Sequence, residues 1–285
     1  MLERARDVWA IDKLDLPAYL ARIGYDGPRT VSEATLTGLY RAHLSAIRFE
    51  NLDIFLRGGV AVDLESIQEK IVYRGRGGYC FEQAQLFGAA LERLGFFVER
   101  LLARVGPDDG GPAWPRTHLT LRVAANGGMW LADIGFASSP PAPLDLRRLR
   151  SDGPQDVDGW IYELVPDQDH GDQVWTLREF QARAWVTLHR WDDTRIHPAD
   201  LVLSNHYTST YRDFWFTWQP IVVKRTPGAI TSLRGRTYTV TVPGHLKTRR
   251  DLTDAEFAAA LTGEFALQLT EAEVATLVAA PTGRG

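Results

Sequence analysis

The stretch RGRGGYCFEQ, residues 74–83, holds the only cysteine of the chain, Cys80. Most lone cysteines are small buried hydrophobes. This one has neighbours that suit a nucleophile. Gly77 and Gly78 permit a sharp turn just before it, and a helical pattern of apolar residues begins at it. A thiol at a helix start meets free N–H groups and a partial positive charge, both of which favour the thiolate. An ordinary thiol has a pKa of about 8.5. A helix N-terminus and an imidazolium together can bring it to roughly 3.5–7.5. The expectation is therefore a depressed thiol pKa.

Such a thiol needs a base, and the base needs an orienting acceptor. Of the seven histidines, His118 follows Pro115-Arg116-Thr117 where a Gly- and Pro-rich loop, residues 106–117, meets a strand. Catalytic groups are held well at such junctions. Asp133 lies fifteen residues on (133 − 118), in the apolar run Met-Trp-Leu-Ala-Asp-Ile-Gly. Burying an aspartate there is costly unless something hydrogen-bonds it. Asn126-Gly127-Gly128 reads as a hairpin turn between the two, which puts His118 and Asp133 on neighbouring strands. The contact expected is between Nδ1 of His118 and the carboxylate. The candidate trio is Cys80 as nucleophile, His118 as acid/base and Asp133 as orienter. The other histidines read otherwise. His43 lies on a helix face as a satisfied core residue. His170 and His197 sit in polar loops. His189 and His245 have no acidic partner in an apolar context. His206 could approach the site from the C-terminal region.

The elements that must hold these residues fall into three stretches. The first hundred residues read as helical. Asp15 caps a helix with Pro17 in its first turn, a second runs from Ser32 to Ala46, and Asp63 caps a third. A fourth starts at Cys80 with Phe81, Ala84, Phe87, Leu91 and Leu94 on one stripe, and Gly95 ends it. Alternating strands follow at 97–105, 118–125, 129–134, 159–165, 173–177 and 183–190. The last stretch has strands near 220–225, 229–233 and 236–242. Two short helices come after, with Thr253/Glu256 and Thr270/Glu273 at capping-box spacing.

Composition sets the outer bounds. Apolar residues are 45% and charged residues 24% of 285, as in ordinary globular proteins. A net charge of −4 offers no basic excess for nucleic acid or an anionic membrane. One cysteine excludes an internal disulfide and a multi-cysteine zinc site, and no metal is expected. No apolar run reaches the roughly 18 residues of a membrane span. The N-terminal MLERARDVWAIDKLDL carries charges where a signal peptide needs an apolar run. A cytoplasmic location is expected.

The sequence resembles the arylamine N-acetyltransferase family of bacterial type. The resemblance is carried by YLARIG at 19–24, HLSAIRFENLD at 43–53, RGGYCFE at 76–82, PRTH at 115–118, DIGF at 133–136 and SNHYTST at 204–210. It implies an α+β fold: an N-terminal helical bundle (1–96) carrying the nucleophile, a central antiparallel β-barrel (97–204) carrying His118 and Asp133, and a C-terminal α/β lid (205–285). It implies a Cys80–His118–Asp133 triad like that of a cysteine protease, acetyl-CoA as acyl donor, and aromatic amines, hydrazines or hydrazides as acceptors. Phe49, Val105 and Phe216 match acceptor-pocket positions, and Arg76 matches a structural arginine. The cations available for CoA phosphates are Lys224, Arg225, Lys247, Arg249 and Arg250. The chain departs from the family pattern at Arg48, Ala137, His206 and Tyr211-Arg212, the last within a stretch, YRDFW at 211–215, that is bulkier than usual. The Arg48, Ala137 and YRDFW departures leave room for an amide synthase that releases a polyketide from a carrier thioester with the same triad. More remote readings are a papain- or transglutaminase-type enzyme and a catalytically silent binding protein on this scaffold.

Overall fold

The computed structural model describes residues 7–106, 114–167 and 174–282. The centre of the Gly/Pro loop and His170 lie outside them. Nine α-helices are described: α1 Leu16–Ile23, α2 Glu33–Ala46, α3 Asp53–Arg57, α4 Leu64–Gln68, α5 Cys80–Arg93, α6 Leu146–Ser151, α7 Pro198–Thr210, α8 Asp254–Thr262 and α9 Glu271–Val278. The expected caps are made: Asp15 Oδ1 accepts from the N–H of Ala18, Asp63 Oδ1 from Ser66, Thr253 Oγ1 from Glu256 and Thr270 Oγ1 from Glu273. None of these helices is long and apolar enough to cross a membrane.

α5 is the axis of the N-terminal part. The sequence marks one apolar stripe, yet every residue from Cys80 to Leu91 is buried. The polar positions are satisfied from neighbouring elements. Gln83 donates to the carbonyl of Gly78, and Gln85 accepts from Nε of Arg100. Full burial of Phe81, Phe87 and Leu91 contributes about 1.5–3 kcal/mol each.

The strands form two sheets. β1 is Phe49–Glu50, β2 Phe97–Arg104, β3 Arg116–Ala125, β4 Gly128–Ala132, β5 Leu144–Asp145, β6 Gln155–Val157, β7 Trp160–Pro166, β8 Trp175–Gln181 and β9 Ala184–Trp191. β10 is Ile221–Thr226, β11 Ala229–Arg234, β12 Thr237–Thr241 and β13 Thr248–Asp251. The larger sheet runs β5-β4-β3-β2-β9-β8-β7-β6, antiparallel throughout, and curls into a nearly closed barrel. Asn126 and Gly127 turn β3 into β4 with φ of 49° and 74°, the left-handed pair that a tight hairpin wants. The smaller sheet runs β1-β10-β11-β12-β13.

Besides the short elements α3, α6, β5, β6 and β13, which the sequence reading does not contain, two features depart from it. The first hundred residues are not all helical: Phe49 and Glu50 pair with Val223 and Val222, so the N-terminal part lends an edge strand to the C-terminal sheet. Residues 198–210 form α7, a helix that apolar periodicity does not show. Its buried face is Leu201, Asn205, Thr208 and Ser209, three polar residues out of four.

Candidate active site

Cys80, the candidate nucleophile, is placed by α5 and by what precedes it. Residues Glu69–Tyr73 form a π-helical turn, and Gly75 then takes a φ of 65°. Gly77 and Gly78 do not use left-handed backbone, contrary to the expected sharp turn at that pair. They are small because other chain comes close. A Cβ on Gly77 would lie 2.2 Å from the carbonyl oxygen of Arg48. The N–H of Gly78 donates to that carbonyl, and the N–H of Glu50 donates to the carbonyl of Gly78.

A buried ion cluster locks this corner. Arg76 donates to Glu50 from Nε and Nη2, and Nη2 reaches Asp53 at 3.3 Å. Lys70 Nζ lies 2.8 Å from Glu82 and 3.1 Å from Asp53. Glu82 also accepts from the N–H of Tyr79 at 3.0 Å, which caps α5 one residue before Cys80. Arg76 thus holds the nucleophile's helix in place without touching the cavity.

Cys80 is 4% exposed. Its Sγ lies 3.6 Å from the carbonyl oxygen of Thr117, the residue before His118. Burial pushes the thiol up to about 12, while the N–H groups of Leu119 and Phe81 pull it down. The depressed pKa expected from sequence counted the helix terminus and an imidazolium partner and left out desolvation. Burial likewise pushes the His118 imidazole down, and Asp133 draws it back up. A lone thiolate and a lone imidazolium are each disfavoured here.

His118 Nε2 lies 2.6 Å from Oδ1 of Asp133. The nitrogen facing the carboxylate is therefore Nε2, not the Nδ1 expected from the hairpin. An ionised carboxylate only accepts, so Nε2 carries the proton and Nδ1 keeps a lone pair. That is the tautomer of a general base at Nδ1. Asp133 is fully buried, and burial alone would raise its pKa. The His118 and His189 imidazoles hold it well below the ordinary carboxylate range.

His189 is the residue that sequence reasoning missed. Its Nε2 donates to Oδ2 of Asp133 at 2.9 Å, so each oxygen of one carboxylate takes an imidazole N–H. The His118 ring sits 4.9 Å from that of His189 and 5.0 Å from that of Phe136. Tyr40 donates its hydroxyl to the carbonyl oxygens of Asp133 and Pro140, fixing the backbone behind the carboxylate. Ligand atoms of His118, Asp133 and His189 lie within 4.8 Å of one another. Two N–H donors facing two oxygens satisfy this group with protons and give no cause to invoke a metal.

Cys80 and His118 line one cavity of about 250 Å³. Phe49, Val105 and Phe216 line it too, as do Phe136, Ala137, Phe214 and Trp215. Gly135 explains the tight floor: a Cβ there would stand 2.7 Å from Cα of Cys80. Of the residues that depart from the family pattern, Ala137 lines this cavity, as do Phe214 and Trp215 of the bulky 211–215 stretch. Arg48 instead ties the end of α2 to the carbonyl of Phe265. His206 is exposed on α7, and Tyr211 stacks on Tyr207. None of the five cations available for CoA phosphates lines this cavity. Lys224 pairs with Glu264, Arg250 with Glu256, and Arg225 is buried against Trp160. Arg234 is the lysine or arginine that does line it, among the described residues.

Comparison with known proteins gives a consistent result. The model of the N-acetyltransferase family matches residues 33–274. An arylamine N-acetyltransferase of Escherichia coli K12 is 33% identical over 258 residues, 90% of this chain and 89% of that protein. The crystal structure of Nocardia farcinica arylamine N-acetyltransferase superposes with a TM-score of 0.88 at 34% identity, covering 95% of each chain. The Mycobacterium marinum arylamine N-acetyltransferase in complex with CoA gives a TM-score of 0.85 at 28% identity, over 94% of this chain and all of that one.

Proposed function

The chain belongs to the N-acetyltransferase family, and from that premise we propose that it moves acetyl groups from acetyl-CoA to arylamines through Cys80. The residue assignment is supported by Cys80 and His118 lining one cavity and by a doubly held Asp133 behind His118. The reaction runs in two halves. Sγ of Cys80 attacks the thioester carbonyl as its proton passes to Nδ1 of His118. The backbone N–H of Cys80, at the start of α5, is the oxyanion donor assigned here. CoA departs as its thiol, taking the proton from His118. The acceptor nitrogen then attacks acetyl-Cys80 and gives a proton to His118, and amide and free thiol are released. Asp133 steadies the imidazolium in both halves.

The aromatic walls from Phe49, Phe214, Trp215 and Phe216 suit a flat acceptor. Hydrazines and hydrazides present a similar nucleophilic nitrogen and belong to the same acceptor class. Arg234 is the cation placed to meet the donor. A cytoplasmic setting, which keeps a lone thiol reduced, fits this chemistry. The amide-synthase reading gains no support, since the relatives and structures compared are named as arylamine N-acetyltransferases. Initial rates with acetyl-CoA and aniline or phenylhydrazine varied together test the proposal. Parallel double-reciprocal lines are expected. Intersecting lines, or a first turnover of CoA release that requires the acceptor, would refute transfer through an acyl-enzyme.

A further inference from the structure

A second cavity, of about 600 Å³, lies where the β8–β9 hairpin meets the loop after β12. It shares no lining residue with the Cys80 cavity. Glu179 of β8 lines it and is only 1% exposed, yet neither carboxylate oxygen has a hydrogen-bond partner. A buried carboxylate left in this state is costly, and native proteins seldom keep one without a use. Its surroundings do not pair it. Tyr162 lies opposite on β7 and Val186 opposite on β9. Arg225 of β10 stacks on the Trp160 ring at 4.1 Å, and its buried guanidinium nitrogens, like the Glu179 oxygens, have no hydrogen-bond partner. Gln181 follows on the same hairpin, and His245 and Lys247 stand on the exposed lip. Burial pushes the Glu179 carboxyl up to about 7, with Gln181, Arg225 and Lys247 offsetting it only in part.

The walls are apolar and face water. Phe180, Trp185, Val186, Val242 and Leu246 are among the exposed large hydrophobic residues, Leu246 at 81%. All five come from the two segments that form this mouth. Apolar walls around one unpaired carboxylate match an organic cation. An ammonium group would donate to Glu179, and its hydrocarbon part would cover Phe180, Val186 and Leu246. A metal ion would find a single carboxylate here, and an anion would be repelled by it.

We infer that this cavity is a binding site for a small primary ammonium ligand with an aryl or branched alkyl group, anchored by Glu179 and separate from the catalytic cavity.

Isothermal titration with phenethylamine, and with 2-phenylethanol as its uncharged counterpart, tests this on the native chain and on Glu179→Gln and Leu246→Ala. The amine should bind the native chain, and saturating CoA should not displace it. Binding should weaken about tenfold or more in Glu179→Gln, and by a similar factor for the alcohol, because a charge-assisted contact is lost. Leu246→Ala should weaken both probes alike. Between pH 8 and pH 6 the amine stays charged while Glu179 gains a proton, so native binding should fall and Glu179→Gln should not change. Acetyl transfer to Cys80 should be the same in Glu179→Gln, and an unchanged melting temperature would show an intact fold. Three results would overturn the inference: equal binding of amine and alcohol, equal binding by native chain and Glu179→Gln, or no binding up to about 10 mM probe.

Discussion

Asp133→Asn puts an amide where two imidazole N–H groups each need an acceptor. Asparagine has one oxygen and one NH₂ group. One histidine keeps its contact, and the other faces a donor. If His118 keeps the oxygen, it retains its tautomer but loses the negative charge behind it. If His118 faces the NH₂ group, the proton moves to Nδ1 and the base is gone. The charge loss alone can be sized. Unit charges about 4 Å apart interact by about 4 kcal/mol at an effective dielectric near 20, or about three powers of ten in rate. The tautomer error adds to this. The expected loss in acetyl-enzyme formation is about 10³- to 10⁴-fold, with a protein that still folds. Quenched intact-mass measurements at short times, from pH 6 to pH 9, give the rate. Retention within about tenfold of the native rate would refute the role of Asp133.

Three further variants probe the supports. His189→Phe keeps a ring beside Phe136 and Trp191 but removes the donor to Oδ2 of Asp133. Chemical denaturation should show a loss of about 1.5–3 kcal/mol, and acetylation should slow roughly ten- to a hundredfold; native behaviour in both would make the contact idle. Gly135→Ala drives a Cβ against the backbone of Cys80, at 2.7 Å from Cα and 2.9 Å from the carbonyl oxygen. Stability should fall by about 1–3 kcal/mol, and a shift of the nucleophile by about 1 Å should slow acetyl transfer about a hundredfold. A full-rate alanine variant would show that the approach is not tight. His43, buried between the Tyr19 hydroxyl and Gln83, has its imidazole pushed by burial down to about 3. The unfolded chain protonates this group below about 6.5, and the native chain does not until about 3. Its stabilising contribution is therefore complete above 6.5 and falls by about 1.4 kcal/mol per pH unit below that. Between pH 7 and pH 5, the native chain should lose about 2 kcal/mol relative to His43→Gln in urea titrations. A constant difference would place the proton elsewhere. Glu82 and Glu179 titrate in both chains and cancel.

The proximity of His118 to Asp133, and the place of Cys80 at a helix start, were legible because their signals are local. Cys80 starts a helix whose stripe begins at the next residue, and a two-residue hairpin links the strand of His118 to β4, which ends one residue before Asp133. The facing nitrogen was not legible, because ring orientation depends on the Phe136 and His189 rings packed around it. His189 stayed hidden for a topological reason. It lies 56 residues from Asp133, and β9 reaches that side only through a single described pair with β2, Arg104 to Arg190. β1 is two residues long between helical segments, too short for a period of two to appear. α7 buries Asn205, Thr208 and Ser209, which no hydrophobic pattern marks. Asn205 is held there by the Tyr79 hydroxyl and the carbonyl of Val60. The thiol pKa was misjudged because burial depends on tertiary packing, which a helix start does not reveal.

The most direct test of the central claim is the intact mass of the protein after brief exposure to acetyl-CoA without acceptor, beside Cys80→Ala. The account predicts one added acetyl group on the native chain, none on the variant, and its discharge by an aromatic amine. No adduct on the native chain, or an equal adduct on Cys80→Ala, would contradict it.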